Sequence, residues 1–125
     1  MLREVEQTYL QRLGLEFEVV AEAGLVCVVI KEWPLPGGYE PQRVDLLIRL
    51  PPGFPDVQPD MYWCDPPVRS TRTGAHPIAA DQFEQHLNRT WQRFSRHLPG
   101  GVWRPGLDSL ESYVTLIRTD LERAA

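Results

Sequence analysis

A small set of nucleophilic and histidine side chains in this sequence could take part in a chemical reaction. The thiols are Cys27 and Cys64, and Ser95 lies two residues before His97. A nucleophile should be partly exposed, with a lowered pKa or a base such as histidine beside it. Cys27 stands in the middle of the β-rich run 26–30 and is predicted to belong to the core. Nucleophilic chemistry at Cys64 or Ser95 is therefore the chemistry to consider.

Cys64 is the first candidate nucleophile. It ends an aromatic, β-rich run, and a chain reversal at the prolines that follow could bring a histidine beside the thiol. The three histidines available are His76, His86 and His97. The alternative is that Cys64 fills a strand as a small apolar side chain, because unpaired cysteine is commonly buried. The sequence leaves both interpretations open.

Ser95 is the second candidate. Residues two apart on an extended chain point the same way, so His97 could remove the proton from the Ser95 hydroxyl. The alternative is a structural cluster in which His97 bonds to the backbone and Arg96 pairs with a carboxylate. His76 and His86 are predicted to be ordinary polar loop residues.

No metal or cofactor site is predicted. The three histidines are too far apart in the sequence for any two to share a helical turn, and the cysteines lack C-x-x-C spacing. This spacing also argues against a disulfide framework, so both thiols are expected to be reduced.

Length and composition predict one globular domain over residues 1–125. The chain has 125 residues, a hydrophobic content of 42% and a formal net charge of -4. Its acidic residues are scattered, so neither nucleic acid nor a membrane surface is an expected partner. The sequence has no apolar run of membrane-spanning length and begins with acidic residues, which predicts a cytoplasmic protein.

The elements that must position these residues follow from periodicity and turn signals. A helix is predicted over residues 2–13, with Gly14 at its end. A hairpin of strands 17–21 and 25–32, a third strand at 44–50 and a fourth at 61–64 follow. A terminal helix is expected from Asp108 and Glu111 as a capping pair. Its apolar face consists of Leu110, Val114, Ile117 and Leu121. The order predicts an α+β domain with a four-stranded antiparallel meander between two helices.

The segment 68–101 is the least regular part of the sequence. Residues 81–87 are compatible with a short helix, and residues 90–97 carry aromatic and charged side chains without clean periodicity. Trp91, Phe94 and Trp103 could form an aromatic docking face, because tryptophan is frequent at binding hot spots. Core packing is the expectation for Trp103, and both alternatives stay open for Trp91.

Two motifs carry a resemblance to a known family. The segment 50–60, LPPGFPDVQPD, resembles the tyrosine–proline signature of the ubiquitin-conjugating enzymes, with Phe54 and Pro55 as the aromatic–proline pair. The blocks 91–97 and 103–108 are similar to a bacterial branch of that family. The chain departs from the eukaryotic pattern at Ile78, where a histidine–proline–asparagine turn has its asparagine, and at His86, where the carrier cysteine is expected.

The resemblance implies a ubiquitin-conjugating-like fold and a transferase role. Such a protein accepts the C-terminus of a ubiquitin-like protein from an adenylating activating enzyme and passes it to an acceptor. A JAB-type peptidase typically belongs to the same pathway, and the gene neighbourhood of the branch implies antiphage defence. The missing asparagine, whose role is electrostatic stabilisation, leaves a catalytically silent adaptor as the alternative. A serine hydrolase is the weakest alternative, because no nucleophile-elbow motif is present.

Overall fold

The computed structural model describes residues 2–96, 103–105 and 107–125. Within these residues, an N-terminal and a C-terminal helix enclose a series of strands. The elements are α1 (Glu4–Arg12), β1 (Phe17–Glu22), β2 (Leu25–Pro34), β3 (Tyr39–Glu40), β4 (Arg43–Leu50), β5 (Tyr62–Asp65), β6 (Arg69–Ser70), β7 (Gln82–His86), β8 (Arg89–Phe94) and α2 (Leu110–Ala124).

The strands form a larger sheet than the sequence predicted. The main sheet has six antiparallel strands in the order β1-β2-β4-β5-β8-β7, and β3 pairs with β6 in a separate two-stranded sheet. The α+β class, the antiparallel sheet and the two terminal helices are confirmed. The prediction of a four-stranded meander is wrong in number: β1, β2, β4 and β5 are the predicted strands, and β7 and β8 extend the same sheet.

The hairpin β7–β8 replaces the short helix predicted over residues 81–87. Leu87 and Asn88 connect its strands with φ angles of 56° and 59°, the left-handed conformation at both central positions that a tight hairpin turn requires. β8 pairs on its other side with β5, where Cys64 lies opposite Gln92. A strand that is stabilised by two neighbours needs little local periodicity, which is why the sequence pattern missed it.

The helix α2 covers one face of the sheet. Its predicted apolar residues Leu110, Val114, Ile117 and Leu121 are all buried, which confirms the assigned face. The predicted capping pair is wrong in position. Ser109 is the N-cap and its N–H donates to Oγ of Ser112 at 3.0 Å, whereas Asp108 accepts from the backbone N–H of Arg104.

The other face of the sheet is buried without a helix over it in the described part of the chain. Its core cluster consists of Cys27, Val29, Leu47, Trp63 and Trp91, with Met61 and Leu87 packed against it. Arginine side chains lie across its tryptophans: the Arg89 guanidinium is 4.3 Å from the Trp91 ring centroid, and that of Arg49 is 5.9 Å from Trp63. The apolar stems and charged heads of these arginines therefore close this face.

Neither helix of the described residues has the length and apolar character that crossing a lipid bilayer would require.

Candidate functional site

The turn His76-Pro77-Ile78 is held in place by a buried amide on β8. The Gln92 side chain accepts from the backbone N–H of Val68 at 2.7 Å and donates to the carbonyls of Val68 at 3.1 Å and Ala80 at 2.8 Å. Gln92 is 1% exposed. One side chain thus fixes the chain on both sides of the turn, because leaving these buried polar groups unpaired would be costly.

The hydrogen-bond pattern assigns the tautomer of His76. Its Nδ1 lies 3.0 Å from the Val68 carbonyl and 3.2 Å from Nε2 of Gln92. Both amide hydrogens of Gln92 are already donated to carbonyls, so Nδ1 carries the proton and donates to Val68. His76 is thereby a clamp on the turn.

Ser95 and Arg96 run alongside this turn directly after β8. The Ser95 N–H donates to the Ala79 carbonyl at 3.0 Å, and Nη1 of Arg96 donates to the Ile78 carbonyl. Ala79 has a φ of 55°, an unfavourable conformation for a residue with a Cβ that the surrounding bonds maintain. The structure therefore brings the partly exposed Ser95 beside the turn that the sequence singled out.

A charged network leads from Ser95 across the face of the sheet that no helix of the described residues covers. This face, with the cluster around Leu47, is called the open face below. The Ser95 hydroxyl accepts from Nε of Arg93 at 2.9 Å, and Nη1 of Arg93 donates to Glu84 at 2.6 Å. Glu84 also accepts from Nε1 of Trp63 at 3.0 Å and lies 3.1 Å from Nε2 of His86. Burial acts to raise the pKa of Glu84, but the hydrogen bonds from these three partners outweigh it and lower the pKa below its usual value. Glu84 is thus held as a carboxylate that fixes Arg93.

Both thiols lie in the core. Cys64 and Cys27 have no exposed surface, and Cys64 stands between Leu46 of β4 and Gln92 of β8 in the ladder. Burial, and secondarily the charge of Asp65, raises the pKa of the Cys64 thiol. A thiol that stays protonated and unreachable is a poor nucleophile. The prediction that Cys27 belongs to the core is confirmed.

The remaining predicted residues fall into three groups. His97 lies outside the residues that the structure describes. His86 is largely buried between Glu84 and Glu22, at 3.1 and 3.7 Å. Trp91 belongs to the core, and Trp103 donates to the Pro55 carbonyl at 2.9 Å while its ring packs near Phe54.

The sequence interpretation missed Arg93, Glu84 and Gln92. The signal for Arg93 was available, since Trp91, Arg93 and Ser95 alternate along an extended strand and share one side. Glu84 and Gln92 could not be found in this way, because the partners of Glu84 come from β5 and β8 and those of Gln92 from the segments before and after β6. Across the described ranges, no group of three or more His, Cys, Asp or Glu side chains is arranged to hold a metal ion.

The fold and the turn are those expected of the ubiquitin-conjugating type: the strands of an antiparallel sheet follow an N-terminal helix and precede a C-terminal helix in the chain, with a proline-dense connection before β5 and a histidine–proline turn after it. The profile of prokaryotic E2 family E matches residues 2–124, and the chain belongs to this family. The resemblance found in the sequence is thereby confirmed. No curated protein and no solved structure matches the chain significantly.

Proposed function

We propose that this protein is a conjugating-type transferase of a bacterial ubiquitin-like modification pathway, with Ser95 as its acyl carrier. It would accept the activated C-terminus of a ubiquitin-like protein from an adenylating enzyme and pass it to an acceptor. Membership of prokaryotic E2 family E supports the pathway. The proposal includes the ubiquitin-like protein and the activating enzyme as partners, and a JAB-type peptidase in the same pathway. It also includes a cytoplasmic location and a single domain for this protein.

Ser95 is preferred as the nucleophile because it is more exposed than the two thiols. Ser95 is partly exposed and bonded to the turn at Ala79, whereas Cys64 and Cys27 are fully buried within the sheet. An acyl donor as large as a protein can approach a side chain only at the surface. The hydroxyl of Ser95 therefore suits acyl carriage better than either thiol does.

The reaction consists of two transfers. In the first, Oγ of Ser95 attacks the carbonyl of the thioester that joins the ubiquitin-like protein to its activating enzyme. The C–Oγ bond forms, the C–S bond breaks, and the hydroxyl proton passes through a base to the departing thiolate. We propose His97 as that base. In the second, an amine or hydroxyl acceptor attacks the ester carbonyl, the C–Oγ bond breaks and the acceptor's proton returns to Oγ.

Arg93 is the residue best placed to assist these steps. Negative charge develops on Oγ when the C–Oγ bond breaks, and Nε of Arg93 already lies 2.9 Å from that atom. A charge-assisted hydrogen bond stabilises such an oxyanion and makes serine a better leaving group. Glu84 acts on the reaction only through Arg93, as a positioning residue.

The nature of the ester tests the proposal. Incubation with the activating enzyme, ATP and the ubiquitin-like protein should give an adduct that resists thiol reductant and yields to hydroxylamine. Ser95→Ala should abolish it, and Cys64→Ala should leave it intact. Ser95→Cys is the matched control, because its adduct should become cleavable by reductant. An adduct of the wild-type protein that reductant cleaves and Cys64→Ala removes would assign the acyl group to Cys64 instead.

Substitution at Arg93 separates the two steps. Arg93→Gln should slow discharge of the isolated Ser95 adduct to an amine by about 10-fold or more, since the leaving oxygen loses its charged donor. His97→Ala should slow formation of the adduct by about 100-fold if His97 is the base. Single-turnover discharge, followed by intact mass, measures the first effect, and the rate of adduct formation measures the second.

A catalytically silent adaptor of the same fold is the second candidate. The observation that favours it is Ile78, which is 80% exposed where related enzymes have an asparagine amide. An apolar side chain cannot stabilise an oxyanion. An adaptor would bind the activating enzyme or the ubiquitin-like protein in calorimetry and form no adduct in any of the variants above.

A further inference from the structure

The positive charges next to Ser95 belong to arginine side chains. Nε of Arg93 lies 2.9 Å from Oγ of Ser95, and Nε of Arg96, the following residue, donates to Asp120 at 2.8 Å. A guanidinium group stays protonated in proteins, whereas the amine of lysine loses its proton more readily and becomes a nucleophile. Arg93 can therefore stabilise negative charge on Oγ without attacking an ester at that atom.

Lysine is nearly absent from the whole sequence. Of the 13 lysine and arginine residues, only Lys31 is a lysine, although lysine is among the commonest residues of globular domains. An ester on Ser95 is open to attack by amines, and an amine held beside it would react much faster than a free one. Only one side-chain amine of this sequence can thus compete with an external acceptor.

Lys31 is remote from Ser95. Ile30 and Gln92, in β2 and β8, lie in one row of the sheet and are separated by three strand spacings, roughly 14 Å. From this row, Lys31 and Ser95 follow in opposite directions, which adds roughly 13 Å along the strands. An acyl carbonyl that is bonded to Oγ of Ser95 therefore cannot reach the amine of Lys31 in the same molecule.

Lys31 is also paired with a carboxylate. Its Nζ lies 2.7 Å from Oε1 of Glu18, and its side chain is 33% exposed. The hydrogen bond to Glu18, and secondarily the charge of that carboxylate, raises the pKa of Lys31. A protonated amine has no electron pair for attack, so Lys31 is a poor acceptor for the acyl group of a second molecule as well.

We infer that an acyl group on Ser95 is protected from transfer to the protein's own side chains, because Arg93 supplies charge without a nucleophile and Glu18 holds the one lysine as an ammonium ion. The inference rests on the proposed function, since that function places the acyl group on Ser95. It gives Arg93 a second role as a specificity determinant, which leaves the acyl group for an acceptor on another molecule.

Arg93→Lys tests the role of the guanidinium group. The variant keeps the positive charge, and Nζ of a lysine extends one bond beyond the position of Nε, within reach of an ester on Oγ. The unprotonated amine attacks the ester carbonyl: the C–N bond forms, the C–Oγ bond breaks, and a proton of the amine passes to Oγ. After loading with the activating enzyme, ATP and the ubiquitin-like protein, most of the adduct should become resistant to hydroxylamine, at a rate independent of protein concentration. Peptide mass spectrometry should locate the amide at position 93.

Matched substitutions separate the amine from the charge. Gln82 is exposed and lies opposite Arg93 in the ladder, so its side chain shares that face. Gln82→Lys should also capture the acyl group, whereas Gln82→Arg should leave the ester intact. Arg43→Lys adds the same amine at the far end of β4 and should leave it intact as well. If Arg93→Lys does not fold, the two Gln82 variants decide.

A chemical acylation tests the pairing of Lys31 without the activating enzyme. The full chain is treated with the N-hydroxysuccinimide ester of acetic acid, and the acetylation rate of Lys31 is followed by peptide mass spectrometry. Glu18→Gln should raise this rate about two- to fivefold, the size expected for loss of an exposed ion pair. Glu122→Gln removes the same charge from an exposed position of α2 and should leave the rate unchanged. Equal rates in the wild type and Glu18→Gln would overturn the role of Glu18.

The outcomes distinguish this inference from the acyl-carrier proposal. A Ser95 ester that forms in the wild type and stays sensitive to hydroxylamine in folded Arg93→Lys would overturn the inference and leave the carrier in place. An amide that forms equally in Arg43→Lys would also overturn it, because position would then not matter. The absence of any ester on the wild-type protein would overturn the carrier, and the role of Arg93 with it.

Discussion

The two faces of the main sheet are buried by different means. On one face, the helices α1 and α2 cover a core that includes Cys64, Tyr62 and Phe94. On the opposite face, tryptophans and arginine side chains cover a smaller cluster around Leu47. The first face is closed by a layer of secondary structure, whereas the second is closed by the side chains of the sheet itself.

This difference separates the two candidate nucleophiles. Cys64 belongs to the helix-covered core and has no exposed surface. Ser95 follows β8 on the side of Arg93, and the ion pairs of the open face extend to its hydroxyl. A face that is closed by charged side chains can hold a surface nucleophile in an ordered environment, which an apolar helix interface cannot do.

The largest expected effect concerns the open face. Trp91 is fully buried although no helix of the described residues covers it, so Trp91→Ala should lower the free energy of unfolding by about 3–5 kcal/mol. Chemical denaturation measures this value. Thr90→Ala, at the exposed neighbouring position, should change it by less than about 0.5 kcal/mol. A loss of under about 1 kcal/mol in Trp91→Ala would show that this face is not a true core.

The matching substitution on the helix-covered face is Ile117→Ala. Ile117 has no exposed surface in α2, so its truncation should cost about 2–5 kcal/mol. Glu122→Ala on the exposed side of the same helix is the control and should be nearly neutral. If Ile117→Ala were also nearly neutral, α2 could not be packed on the sheet as described.

Substitution of Arg89 tests how much its ion pairs on the open face contribute to stability. Its guanidinium lies 2.9 Å from Asp45 and 2.6 Å from Asp65, and it also covers the Trp91 ring. Arg89→Ala should cost about 1–2 kcal/mol, because partly exposed ion pairs and a cation–π contact are each worth about 1 kcal/mol or less. The cost should fall in high salt, measured by denaturation at two ionic strengths. A cost that salt does not change would assign the effect to packing.

The smallest effect is a pH dependence from Glu84. Its pKa is lower in the folded protein than in the unfolded chain, so its stabilising contribution is complete above the unfolded pKa of about 4.3 and is lost as the pH falls through the folded value. Glu84→Gln should therefore remove up to about 1 kcal/mol near neutral pH and progressively less as the pH falls below the unfolded pKa. Thermal denaturation over this pH range measures the difference, and a loss that stays equal throughout would contradict it.

The local sequence pattern was sufficient to predict those helices and strands whose residues on one side all face the same environment. Leu110, Val114, Ile117 and Leu121 recur at helical spacing because α2 meets the sheet along a single stripe. The alternation of apolar and polar residues along β4 and the glycine turn before β2 could be predicted for the same reason. The hairpin β7–β8 was not, since β8 pairs with β5 and Arg89 of β8 forms ion pairs with Asp45 of β4 and Asp65 of β5, which are distant in the sequence.

The sequence by itself determined the class of fold, the terminal helices, the first strands of the sheet, the family resemblance and the short set of possible nucleophiles. Only the tertiary structure decided that the Cys64 thiol is enclosed and that the Ser95 hydroxyl meets Arg93 beside the turn at Ala79. Residue type and spacing specify which groups are present and how they repeat along the chain. Burial and charge pairing depend on strands that are distant in sequence, and these strands become neighbours only when the sheet forms.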